Sequence, residues 1–184
     1  EILSGIKKGV KAGAITPVVC CSAFTLAGVD MVLDMICELM PSPKEADDEI
    51  CMDSDGNPVE LICADDQPLA AFVFKTIADP FVGKMSYVKV LSGKLTADQI
   101  PVNTTTGQPE RLGKIIFVKG KKQEDTPQIG AGDIGAVTKL AGTNTGDMLC
   151  DPSRPLKCEP MEFPAPCLSI AFKPKAKGDE GKIA

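Results

Sequence analysis

The stretch from Asp79 to Asp151 limits the possible fold more than any other part of this 184-residue chain. It opens with Asp79-Pro80-Phe81-Val82-Gly83-Lys84. It closes with Ala131-Gly132-Asp133-Ile134-Gly135-Ala136-Val137, then Thr145-Gly146-Asp147-Met148-Leu149-Cys150-Asp151. Between these phrases, short β-branched and aromatic runs are broken by Gly, Pro and Asn at close intervals, each where the chain must reverse. From Pro68 onward the pattern has a period of two. Phe72 and Phe74 alternate with Ala71, Val73 and Lys75, and Tyr87, Lys89 and Leu91 alternate with Val88 and Val90. Further strands are expected at Gln99–Asn103, Arg111–Val118, Ile134–Leu140 and Asp147–Cys150. Short strands packed this closely suit a small closed β-barrel, which leaves no sheet edge exposed. A domain of this size buries roughly 60% of its unfolded surface, enough for marginal independent stability.

The flanks follow other rules. Leu3, Ile6 and Val10 recur at helical spacing up to Gly13, and Ile15 to Cys21 is a continuous apolar run of the kind a strand buried on both faces shows. Val29, Val32, Leu33, Ile36 and Met40 then line one face of a second helix, opened at Gly28 and stopped by Pro41 and Pro43. One strand and two helices make no core, so residues 1–43 read as the tail of a larger α/β domain. Residues 44–67, rich in Pro, Asp, Glu and Asn, read as a linker in which Val59–Cys63 adds a short strand. Asp53, Asp55 and Asn57 resemble the start of a calcium loop, but Pro58 stands at the required glycine and Ala64 at the bidentate glutamate, so no EF-hand is expected. After Asp151 a Pro-rich stretch leads to one more alternating strand at Cys167–Lys173, and Lys177–Ala184 reads as a helix start. The chain opens at Glu1 with neither Met nor a basic–apolar signal segment, and reads as an excised piece.

Composition excludes several classes. A formal net charge of −5 argues against nucleic-acid binding by bulk electrostatics, so any RNA contact needs a local patch. Arg111, Lys114, Lys119, Lys121 and Lys122 supply one, interleaved with Ile115, Ile116, Phe117 and Val118. Read from the residues alone, it is the solvated edge of a strand and its loop. No apolar run reaches the length of a membrane span. The eight cysteines show no C-x-x-C spacing and there is no His, so neither a zinc site nor another metal site is expected. The cysteines read as reduced thiols packed as small hydrophobes in a cytoplasmic protein, not as a secreted disulfide framework.

Gly130-Ala131-Gly132-Asp133-Ile134-Gly135 matches G-x-G-x-x-G, but the residues that follow, Ala136 to Leu140, are β-like. A dinucleotide fingerprint requires a helix there to meet the pyrophosphate, so these glycines read as a tight strand connection. No catalytic residues are expected. The chain has no His, no G-x-S-x-G and no Cys–His pair.

The two bracketing phrases, in this order and at this separation, resemble the second domain of elongation factor G. Cys20-Cys21-Ser22-Ala23-Phe24, between an apolar run and a Gly-started helix, resembles the guanine-recognition end of the same family's nucleotide domain, with Cys21 where the family usually has Gly. Met161-Glu162-Phe163-Pro164 with Leu168-Ser169-Ile170 resembles the entry to domain III. Lys119-Gly120-Lys121-Lys122-Gln123-Glu124 stands where main translocases usually carry histidines, and is similar to the elongation factor G-like paralogues of bacteria.

The resemblance implies a mainly β chain. A small closed β-barrel of the translation-factor domain II type (68–150) is flanked by an α/β remnant of a GTPase domain (1–43), a linker (44–67), and a linker with the first strand of an α+β domain (151–184). It implies that Ser22 and Ala23 form an incomplete guanine end. It also implies a parent chain that binds GTP and Mg and acts on the ribosome, with this stretch packing on its own GTPase domain and touching small-subunit RNA. Phosphoryl transfer needs G-x-x-x-x-G-K-[ST] and Asn-Lys-x-Asp, and neither occurs here. The stretch is therefore expected to dock and relay without catalysis and without a cofactor of its own. Self-association through cut edges is also expected. A ribosomal protection protein and a stand-alone RNA-binding barrel are the alternatives. The second would show aromatics on an exposed sheet face, whereas Tyr87 and the phenylalanines read as core.

Overall fold

A computed structural model describes residues 2–79, 83–171 and 173–174. Two compact units divide between Asp48 and Glu49.

In the first unit, α1 (Ile2–Lys11) and α2 (Val29–Leu39) form where helical spacing places them. Lys8 and Lys11 lie in the last turn of α1, where a helix dipole favours cations. Gly28, at φ 74°, takes the left-handed conformation that opens α2. The expected strand at Ile15–Cys21 does not form, and the segment is extended without a ladder. A strand needs a neighbour for its N–H and C=O groups, and among the described residues this unit supplies none. Val18 is 87% exposed as a result. Ion pairs from Lys7 to Glu45 (2.7 Å) and from Lys11 to Asp47 (3.2 Å) tie α1 to the segment after α2.

The second unit is mainly β. An antiparallel hairpin of β1 (Glu49–Met52) and β2 (Pro58–Leu61) occupies much of the stretch read as a linker. Its turn is built by Asp53, whose Oδ1 accepts from the backbone N–H of Asp55 (2.9 Å) and Asn57 (2.8 Å). Then follow β3 (Ala70–Asp79), β4 (Gly83–Ser92), β5 (Leu95–Thr96), β6 (Val102–Asn103), β7 (Gln108–Pro109), β8 (Ile115–Lys119), β9 (Lys122–Asp125), β10 (Gln128–Ile129), β11 (Ile134–Thr138) and β12 (Met148–Cys150). Eight of them make one antiparallel sheet in the order β7-β6-β12-β3-β4-β11-β8-β9, and β5 pairs with β10 separately.

The expected closed barrel is not found. Among the described residues the ladder stops at β7 and β9, and the strands that would carry a closing seam have only two ladder residues each. One apolar core is still enclosed, because β3, β4, β5, β8, β10, β11 and β12 all contribute to it, with Val73, Val88, Leu95, Ile129, Val137 and Leu149 fully buried. The opposite sheet face is covered in two patches. One patch joins Cys51 and Leu61 of the hairpin to Ala70, Met148 and Leu156, and the other gathers Met85, Ile116 and Ala136.

A bulge in β3 shifts the register between Val73 and Lys75, so that Phe74 and Lys75 face Tyr87 together. The rings of Phe74 and Tyr87 lie 6.2 Å apart. Phe72 and Tyr87 are half-buried and pack against the two outer clusters, and Phe117 packs against the inner core, whereas Phe24 and Phe163 are exposed, which corrects the reading of the phenylalanines as core.

Two further expectations change. Cys51 and Cys158 form a disulfide across 107 residues, whereas all eight cysteines read as free thiols. A paired backbone bridge between Met52 and Lys157 sets the two sulfurs face to face, a juxtaposition invisible in sequence spacing. The strand expected at Cys167–Lys173 is absent from its described residues, and Leu168 and Ile170 are exposed, since among the described residues no neighbouring strand or apolar surface receives them. Phe172 and the helix start at Lys177–Ala184 lie outside the described residues.

Candidate nucleic-acid interface

The basic cluster lies on and beside the β8–β9 hairpin. Lys119 faces Lys122 across the two-residue turn Gly120-Lys121, which Gly120 makes possible at φ 60°. Alternation along β8 sends Ile115 to the inner core and Ile116 to the outer cluster, so the apolar residues between the cations hold the hairpin down. Arg111, Lys114, Lys119, Lys121 and Lys122 are all on the surface.

The register brings acids from β9 to three of these cations. Lys114 Nζ is 2.7 Å from Asp125 Oδ2, while Lys119 (3.0 Å) and Lys122 (2.7 Å) share the two oxygens of Glu124. Lys122 and Lys119 together hold the Glu124 carboxyl below its ordinary range. Among the described residues Arg111 and Lys121 have no such carboxylate. The hairpin thus keeps a surplus of positive charge, concentrated at its tip and at Arg111. Gln123 Nε2 donates to Asp79 Oδ2 (3.3 Å), joining the hairpin to the end of β3.

A buried polar network supports the opposite end of the sheet. Asn103 Nδ2 donates to Thr143 Oγ1 (3.2 Å) and Asp147 Oδ2 (3.0 Å), and its Oδ1 accepts from the N–H groups of Thr105 and Thr106. Glu110 accepts from Gly142 N (2.7 Å), Ala141 N (3.2 Å) and Thr143 Oγ1 (2.9 Å). Asn103, Glu110, Thr143 and Asp147 are all buried. Of these residues only Asp147 stands out in the sequence, in the Thr145-Gly146-Asp147 phrase, and the structure gives that phrase its purpose. Asp147 closes its own loop by accepting from Asn144 N (2.7 Å) while anchoring β6.

The glycine motif serves the strand connection. Gly132 has φ 84°, and its N–H donates to Val90 O at 2.7 Å. A Cβ on Gly135 would meet the Ile129 side chain and lie 3.1 Å from Ile116 O. The first unit places Ser22 and Ala23 in a turn after the extended segment. There Ser22 N donates to Ala27 O (2.9 Å) and Ser22 Oγ accepts from Thr25 N (3.3 Å), with Ala23 exposed.

Residues 68–152 match the family model described as elongation factor G domain 2. The chain carries an elongation factor G domain 2. Its domain 2 comprises the sheet from β3 to β12. A crystal structure of a protein from Thermus thermophilus is similar over 99% of this chain, with a TM-score of 0.70 and 26% sequence identity. The chain spans 25% of the length of that protein. Within domain 2, Gly83 of the first bracketing phrase opens β4 at φ 78°, and Pro80 to Val82 lie outside the described residues. The second phrase forms β11 and the Asp147 loop. No helix of the described residues is long and apolar enough to cross a membrane.

Proposed function

We propose that this chain is the docking and relay part of an elongation factor G-like ribosomal GTPase, acting in GTP-driven translocation in the cytoplasm. In this reading residues 1–43 are the end of the GTPase domain, with Ser22 and Ala23 at the guanine. Domain 2 meets small-subunit RNA through Arg111, Lys114, Lys119, Lys121 and Lys122. The match of residues 68–152 to the domain 2 family carries the reading. The exposed, net-positive β8–β9 hairpin supports the choice of RNA-facing surface. The residues for holding phosphates and Mg are not in this sequence, so GTP hydrolysis belongs to the rest of the parent protein.

A sheet domain with a fully buried core transmits a rotation without deforming, which suits a relay. Co-sedimentation of the chain with small ribosomal subunits over a salt series tests the proposal. Replacing all five basic residues with Gln should weaken binding and flatten its salt dependence, by roughly 0.7–0.9 in log–log slope per lost phosphate contact. Equal affinity and slope in the two proteins would reject the assignment of these residues.

A further inference from the structure

The disulfide and the groove beside it form a device that the docking reading leaves unused. Cys51 lies before domain 2 in the chain and Cys158 after it, so their bond staples the entry of the sheet to its exit. Cys51 is completely buried, whereas Cys158 is half-exposed. Cys158 lines an outer groove of about 450 Å³ whose apolar wall includes Phe72, Phe74, Leu91 and Ile134. Lys89 also lines this groove, where it pairs with Glu49 at 3.3 Å, and Glu159 leaves the rim with a net negative charge.

We infer that Cys51–Cys158 is a thiol-exchangeable latch, opened by a small thiol that enters this groove and attacks the Cys158 sulfur. In the exchange the incoming thiolate bonds to Cys158 Sγ and the protein Sγ–Sγ bond breaks. Cys51 leaves as a thiolate and takes a proton from solvent. A second thiol then attacks the mixed disulfide, releasing Cys158 as a thiol and the small molecule as its own disulfide. Access fixes the direction, because a reagent in the groove meets Cys158 and not the buried Cys51.

A third cysteine in the same cluster does not compete. Cys150 is buried, and burial pushes its thiol up to about 11, so it stays protonated and a poor nucleophile near neutral pH. Opening the latch leaves the Met52–Lys157 backbone pair (2.7 and 2.8 Å) and buried Leu61 and Leu156 in place. The hairpin therefore stays seated while the covalent tie between entry and exit is lost.

The test uses the 184-residue chain purified without reductant, alkylated after unfolding and mapped by peptide mass. Of the eight cysteines, Cys51 and Cys158 should be the protected pair. Titration with glutathione should place the first adduct on Cys158, and full reduction should lower the thermal midpoint by roughly 5–15 °C. A Cys51→Ser/Cys158→Ser protein should start at the lower midpoint and show no further shift with reductant. Alkylation of both residues without reductant, a first adduct on Cys51, or a midpoint indifferent to reduction would each overturn the inference.

Discussion

Asn103 Nδ2 donates to Asp147 Oδ2 at 3.0 Å across 44 residues, with both side chains buried. This contact joins β6 to the loop before β12 and makes Asp147 a structural acid. Asp147→Ala would leave Asn103 Nδ2 with one partner fewer and the Asn144 N–H without its acceptor. Asn144 is exposed, so water can replace its acceptor, and the cost falls on the buried Asn103 donor; urea unfolding should show a loss of about 1–3 kcal/mol. A loss within experimental error of zero would show that the network carries no stability.

Glu110 makes a stronger demand, since one buried carboxylate serves three donors of the Ala141–Thr143 loop. Glu110→Gln keeps two acceptor sites at most on its single oxygen and turns an NH₂ toward a donor. The substitution should destabilise by about 1–3 kcal/mol, and amide exchange at Gly142 should accelerate. Unchanged exchange at Gly142 would contradict this.

The glycine motif gives a steric test. Gly135→Ala must push aside Ile129, a fully buried core residue, and crowd the Ile116 carbonyl. Overpacking of this kind costs about 1–3 kcal/mol. A nucleotide-binding role would instead appear as lost ligand affinity with stability unchanged.

Glu45 gives a pH test in the first unit. Lys7 and the Ser42 backbone N–H hold its carboxyl down at about 2, from an ordinary 4.5. Its folded value is depressed, so its contribution is complete above pH 4.5 and fades as pH falls through about 2. A carboxyl NMR titration should place the Glu45 midpoint near 2, and Lys7→Ala should raise it toward the ordinary value. A midpoint already near 4.5 in the unaltered chain would show that the pair does not form in solution.

Much of the sheet was legible because burial on alternate positions leaves a period of two. Parts of Ala70–Asp79 and Gly83–Ser92 carry that mark, whereas Ile134–Thr138 and Met148–Cys150 are buried almost throughout and stand out as short β-like runs between turn residues. β9 was not legible, since Lys-Gln-Glu-Asp has no apolar pattern and is held by the ladder with β8 and by side-chain pairing. β5, β7 and β10 have two residues each and leave too little pattern to read.

The run at Ile15–Cys21 misled for the opposite reason. Its composition suits a strand, but pairing depends on neighbours that composition does not encode. The basic residues of the candidate interface were visible, whereas their partial neutralisation by Glu124 and Asp125 depends on hairpin register. The disulfide was hidden for the same reason, since it depends on a bridge between residues more than a hundred positions apart.

The exposed tip of the β8–β9 hairpin is where contact with RNA is tested most directly. A photoreactive residue at position 121, in the chain mixed with small ribosomal subunits, should crosslink to small-subunit RNA. Added salt should suppress the crosslink, as should the Gln substitutions at the other four basic positions. Absence of an RNA crosslink while the chain still co-sediments with the subunit, or crosslinking to ribosomal protein alone, would contradict the proposed docking surface.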